Sequence, residues 1–199
     1  PIKSSAASDV YKRQQYQASI TEYLNAVLLY SLLQKQEHDF HLRLRPVRIA
    51  MPVNLRRFFP SKTLRNFITM VYPSIDPRLG DYTFEEIVTQ VHHYMRYYIN
   101  SKFLRGDITT NASTQRNPLI RIVPLFLKDF VVRQFYQRVQ DKNSSAGLTN
   151  MGAIRVPDDM KPYLERFDIY MGIPYSQRTN CAIVSFEDTL TVNFASCII

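Results

Sequence analysis

The stretch Pro52-Val-Asn-Leu-Arg-Arg-Phe-Phe-Pro-Ser-Lys-Thr-Leu-Arg-Asn-Phe67 decides how the rest of the sequence is read. On its N-terminal side, Pro46 to Val53 alternates apolar and other residues between prolines, which predicts a strand. On its C-terminal side a second strand is expected from Asn66 to Val71. The link between them, Asn54 to Arg65, is an arginine-rich loop. From Arg43 to Arg65 the chain carries Arg43, Arg45, Arg48, Arg56, Arg57, Lys62 and Arg65 and no acidic residue. A strand flanked by so much positive charge points to a surface that meets anions.

Outward from this core, Ser19-Ile-Thr-Glu22 fits a capping box, and Leu24, Val27, Leu28 and Leu32 follow at helical spacing. A helix is therefore predicted over 19–36, with a polar loop from Glu37 to Arg45. Thr83-Phe-Glu-Glu86 is a second capping box and starts a helix to about Ile99, followed by a short helix or loop to Asn111. Asn117-Pro118 opens a long helix to about Val139, kinked at Pro124. After the polar break Asp141 to Gly147, β-like runs are expected at 148–154, 166–172, 181–186 and 189–196, the last two joined as a hairpin at Glu187-Asp188. A long loop lies between Met171 and Cys181. No internal repeat is present. Helices interspersed with strands predict an α/β two-layer sandwich with a mixed sheet.

The 199 residues are 45% hydrophobic and 21% charged, a globular composition with enough apolar side chains for a core. Cys181 and Cys197 have no CxxC spacing and no neighbouring histidine, so neither a zinc site nor a disulfide framework is expected, and the cytoplasm is the default compartment. The longest apolar run, Leu119 to Val132, is interrupted by Arg121, Lys128 and Asp129, so no membrane span is predicted. The net charge of +8 suits nucleic acid, anionic membranes or phosphate-bearing small molecules. Nucleic acid is not expected, because the Tyr and Phe residues follow core periodicity and do not alternate with the basic ones. His38 and His41, beside Glu37 and Asp39, lack a regular ligand spacing and read as a polar loop with no metal.

The stretch quoted above resembles the second-half motif of the CoA-dependent acyltransferases related to chloramphenicol acetyltransferase, the condensation domains and the plant BAHD enzymes. It is most similar to bacterial alcohol acetyltransferases, in which four blocks follow in order. Their counterparts here are Asn54 to Phe67, Arg116 to Lys128, Thr149-Asn-Met-Gly152 and Glu165 to Asp168, so the resemblance covers about 16–199. It implies an acyl-CoA, such as acetyl-CoA, as co-substrate, no metal, and a small alcohol or amine as acceptor. A carrier-protein-binding or scaffold domain of the condensation type is the alternative.

The resemblance also implies roles for particular residues. Arg56 matches the arginine that pairs with the aspartate of the catalytic HHxxxD signature and holds that loop in shape. Asn66 matches an asparagine near the cofactor channel, although Arg65 stands where many members have glycine. Thr149 and Asn150 match a strand beside the tunnel, where a hydroxyl or amide can bond the acyl group or the oxyanion. Asp168 and Gly172 match the plant DFGWG motif at its ends, with Tyr170 in place of the middle glycine, and imply structural support.

The signature HHxxxD itself is absent. His92-His93 begins like it but reaches Tyr97 at the sixth position, and the pair falls inside the helix that starts at Thr83. It reads as a solvated or half-buried helix face. The chain therefore reads as a C-terminal subdomain, 15–199, that provides a tunnel wall while the base belongs to an N-terminal subdomain. Pro1 at the start and Cys197-Ile-Ile199 at the end read as truncations. The opening PIKSSAASDVYKRQ resembles a translated sequencing adapter, so residues 1–14 read as a non-native leader.

Overall fold

The alternation in the central strand is realised as β2, Val47–Asn54, whose Val47, Ile49, Met51 and Val53 side chains are buried on one face. In this computed structural model the described residues are 2–5, 16–38, 43–116, 124–135, 144–172 and 179–197. β2 pairs antiparallel with β3, Ile68–Val71, and with the short β4, Ser74–Ile75. Its other edge pairs parallel with β5, Ala146–Ala153, through Ile49 opposite Ala146 and Ala50 opposite Gly147. β5 runs parallel to β6, Thr179–Phe186, which turns back at Glu187 and Asp188 into the antiparallel β7, Thr189–Ser196. The expected hairpin is present. β1, Ile2–Ser5, adds antiparallel to β7, giving the order β1-β7-β6-β5-β2-β3 with β4 also on β2.

Two helices cover one face of this mixed sheet. α1, Ile20–His38, begins in the predicted capping box: the Ser19 N–H donates to Glu22 Oε2 at 2.6 Å and the Glu22 N–H to Ser19 Oγ at 3.2 Å. α2, Phe84–Tyr98, begins in the second one, and the two bonds from Thr83 to Glu86 hold the Glu86 carboxyl below its usual range. Leu29 and Leu33 of α1 and Ile87, Val91 and Met95 of α2 recur at helical spacing and pack on Ile49, Leu148 and Ile183 of the sheet. Each such large side chain contributes about 1.5–3 kcal/mol on burial.

Three expectations are corrected. The segment after α2 is a full helix, α3, Ser101–Arg116, and not a short helix ending near Asn111. Asn100 caps it, its Oδ1 accepting from the Lys102 and Phe103 N–H groups at 3.0 and 2.9 Å. The next helix, α4, is Leu125–Phe135, so Pro124 precedes its first turn, where a missing N–H costs nothing; 117–123 and 136–143 lie outside the described residues. Leu125, Phe126 and Phe130 of α4 are exposed.

The third correction concerns 166–172, which is not a strand. Its polar groups are satisfied by side chains of the sheet and not by a ladder. Asn193 of β7 donates to Asp168 Oδ1 at 3.4 Å and to the Ile169 carbonyl at 3.2 Å. Asn180 of β6 donates to the Gly172 carbonyl at 2.8 Å and accepts the Gly147 N–H of β5 at 3.0 Å. Phe167 stacks edge-on against Phe186, with centroids 5.1 Å apart. The segment thus lies over the β6–β7 residues that alternation turns away from the two helices.

Asn180 and Asn193 are both buried, so their amides are expensive to remove. Asn180→Ala leaves a buried N–H and a carbonyl without partners, and a loss of about 2–4 kcal/mol is expected in urea denaturation. Cys181, on the helix-facing side of β6, is buried, which pushes its thiol up to about 11, whereas Cys197 is exposed. Iodoacetamide at pH 8 should therefore label the native chain at Cys197 alone and the urea-unfolded chain at both thiols.

Candidate active site

β2 and β5 run side by side only as far as Ala50 and Gly147. Arg48 exchanges bonds with Ser145 on the β5 side: its N–H reaches Ser145 Oγ at 3.2 Å and its carbonyl accepts the Ser145 N–H at 2.7 Å. Alternation turns the nitrogen of Pro52 to that same side, where it has no hydrogen to donate, and the parallel ladder stops. A register shift between Asn150 and Ala153 bends β5 away, and Gly152 takes a left-handed φ of 74° there. A cleft of about 630 Å³ opens between the carboxyl ends of the two strands. This is where ligands bind in open α/β sheets.

One polar wall of the cleft is built by Thr149, Asn150 and the first turn of α1. Asn150 is held at both ends of its amide, donating to Thr21 Oγ1 at 2.9 Å and accepting the Gly152 N–H at 2.8 Å. Thr21 therefore receives a hydrogen bond and keeps its own hydroxyl proton available. Glu22, buried beside it, accepts from the Ser19 N–H and meets His92 Nδ1 at 3.3 Å. Met51, Val53, Phe58, Met95 and Ile99 make the remainder mainly apolar.

Arg56 enters from a single 3₁₀ turn, Leu55–Arg57, that follows β2 directly. Asn54 caps the turn by accepting the Arg56 N–H at 3.0 Å. Arg56 is among the residues lining the cleft, and its Nη2 donates to the carbonyls of Thr63 and Arg65 at 2.8 and 2.7 Å. It thus closes the arginine-rich loop on itself, and no carboxylate among the described residues pairs with it.

The residues singled out in the sequence divide in two. Arg56, Thr149 and Asn150 share the cleft. Asn66 is exposed and does not line it. Asp168 and Gly172 do not line it either; Asp168 also accepts from Arg166 Nε at 2.8 Å, and both tie their segment to the sheet. His92 is half-buried and His93 exposed on α2, as a helix face requires. No group of three or more potential metal ligands occurs among the described residues, and His41 lies outside them. Sequence reasoning missed Thr21, Glu22 and Arg96. The capping box marks the helix start that carries Thr21 and Glu22, but its place at the open end of the sheet is set by the assembled fold.

No protein-family model and no curated protein sequence matches this chain. Solved structures do. A wax ester synthase/diacylglycerol acyltransferase from Marinobacter aquaeolei VT8 superposes with a TM-score of 0.52 at 10% identity, over 98% of this chain and 41% of that one. Vinorine synthase gives 0.53 at 11% identity, over 96% and 41%. The epimerization domain from the third module of tyrocidine synthetase B gives 0.51 at 9%, over 98% and 42%. The chain has an acyltransferase-like fold. It spans about two-fifths of the length of these structures. That an epimerization domain shares the acyltransferase-like fold means that the chemistry must be argued from the cleft. No helix among the described residues is long and apolar enough to cross a membrane.

If Arg56 is the clasp of its loop, Arg56→Met should expose Lys62 and Arg65 to limited trypsin cleavage. The urea midpoint should move little, because the loop lies outside the core.

Proposed function

We propose that this chain forms one wall of the transfer site of an acyl-CoA-dependent acyltransferase, acting on a small alcohol. The observation that supports this reading is the convergence of Arg56, Thr149 and Asn150 on one cleft at the carboxyl ends of parallel β2 and β5. In the reaction, an acceptor hydroxyl attacks the thioester carbonyl of acyl-CoA. A base takes the hydroxyl proton, the carbon–sulfur bond breaks, and the proton passes to the departing CoA thiolate. Thr149 and Asn150 stand where hydrogen bonds can hold the oxyanion, and Asn150 is oriented in advance by Thr21 and Gly152.

The base is the histidine of an HHxxxD loop in another part of the full-length protein, an N-terminal subdomain. Arg56 faces that part, its remaining guanidinium donors meeting the aspartate of the signature. Breaking such a pair from either side is costly when it is buried. Asn66 has a place in this reading only at the outer end of the cofactor path. Asp168 and Gly172 support the sheet behind the site.

Calorimetric titration with acetyl-CoA tests the reading. Saturable binding is expected, weakened roughly tenfold by Asn150→Leu, with thermal melting checking that the variant, which loses two hydrogen bonds, is still folded at the assay temperature. The chain alone should transfer no acetyl group. Binding of an acyl-loaded carrier protein without binding of acetyl-CoA would overturn it in favour of a condensation-type domain, and turnover by this chain alone would overturn the division of labour.

A further inference from the structure

Three arginines, Arg56, Arg57 and Arg96, are among the residues lining the cleft, against a single acidic residue, Glu22. The carboxylate is already engaged by the Ser19 N–H and His92. Arg56 is engaged by two loop carbonyls. Arg57 and Arg96 make no hydrogen bond or ion pair with any described residue, although they come from different elements, the turn after β2 and the last turn of α2. Two arginines that line one cleft without a partner among the described residues keep guanidinium donors free to take an anion.

We infer that the cleft takes an acceptor bearing an acidic group, a carboxylate or a phosphate, and that Arg57 and Arg96 recognise it. This rests on the acyl-transfer reading, because that reading is what makes the bound molecule an acceptor. Guanidinium forks match the oxygens of carboxylate and phosphate in pairs, which a lysine or a helix end does not. Acyl-CoA also carries phosphates, but its long pantetheine arm separates them from the thioester. In a short hydroxy acid or a phosphorylated alcohol, the hydroxyl and the acid lie a few bonds apart. Thr149 and both arginines line the same cleft of about 630 Å³, so one small molecule can meet them together. The substrate class is thus a small alcohol that is also an anion, acylated on its hydroxyl.

Calorimetry on this chain with β-hydroxybutyrate and glycerol phosphate, beside the uncharged sec-butanol and glycerol, tests the inference. The anions should bind roughly ten- to hundredfold more tightly than their uncharged counterparts. The preference should vanish in the double variant Arg57→Gln/Arg96→Gln and survive in part in Arg57→Lys/Arg96→Lys. Both side chains are exposed, and thermal melting checks that the variants fold. Equal affinity for charged and uncharged probes, or a preference that the glutamine variant keeps, would overturn it. So would a glutamine variant that loses acetyl-CoA but retains uncharged S-acetylpantetheine and the acids, since the arginines would then serve the donor. Loss of all thioester binding in the unaltered chain, with the anion preference intact, would remove the transfer reading and leave the anion site standing.

Discussion

At Pro52 the central strand has no N–H to offer its parallel neighbour, and the cleft depends on that absence. A proline inside a central strand is ordinarily excluded because it breaks a ladder. Here the break falls just after the last pair, Ala50 and Gly147, and just before β5 bends between Asn150 and Ala153. Had the ladder continued, the edges of β2 and β5 would be joined along their carboxyl ends and the cleft between them closed. The sheet is therefore whole where it carries α1 and α2, and open where the polar side chains converge.

The polar groups that hold this geometry are few and mostly asparagines. Asn150 joins β5 to the start of α1, while Asn180 and Asn193 hold the 166–172 segment on the sheet. An asparagine offers a donor and an acceptor on one rigid amide, so it can link two backbone stretches that do not share a ladder. Arg56 does the same for its loop with two carbonyls. The site is thus fixed by side-chain clasps at its rim and by apolar packing beneath it.

Much of the architecture was legible because it is written in local, periodic signals. Both capping boxes, the alternation in β2, the hairpin at Glu187 and Asp188, and the mixed α/β character follow from short windows. The failures have a common cause. Segment 166–172 alternates like a strand, yet its partners are Asn180 and Asn193, side chains that no window around 166–172 contains. The extent of α3 and the start of α4 at Leu125 likewise depend on caps and packing outside the apolar pattern. Arg56, Thr149 and Asn150 could be singled out through motif resemblance. Thr21, Glu22 and Arg96 could not, since their relevance arises from the assembled sheet end and not from their neighbours in sequence.

The contact between Arg48 and Ser145 spans 97 positions in the chain. A ribosome will thus have released β2, with its row of Val47, Ile49, Met51 and Val53, well before the strand that shields its edge has been made. Parallel pairings of such long range form slowly, because the intervening chain must be closed into a loop first. During that interval the nascent polypeptide displays a half-paired apolar edge, the kind of surface on which other chains can pair.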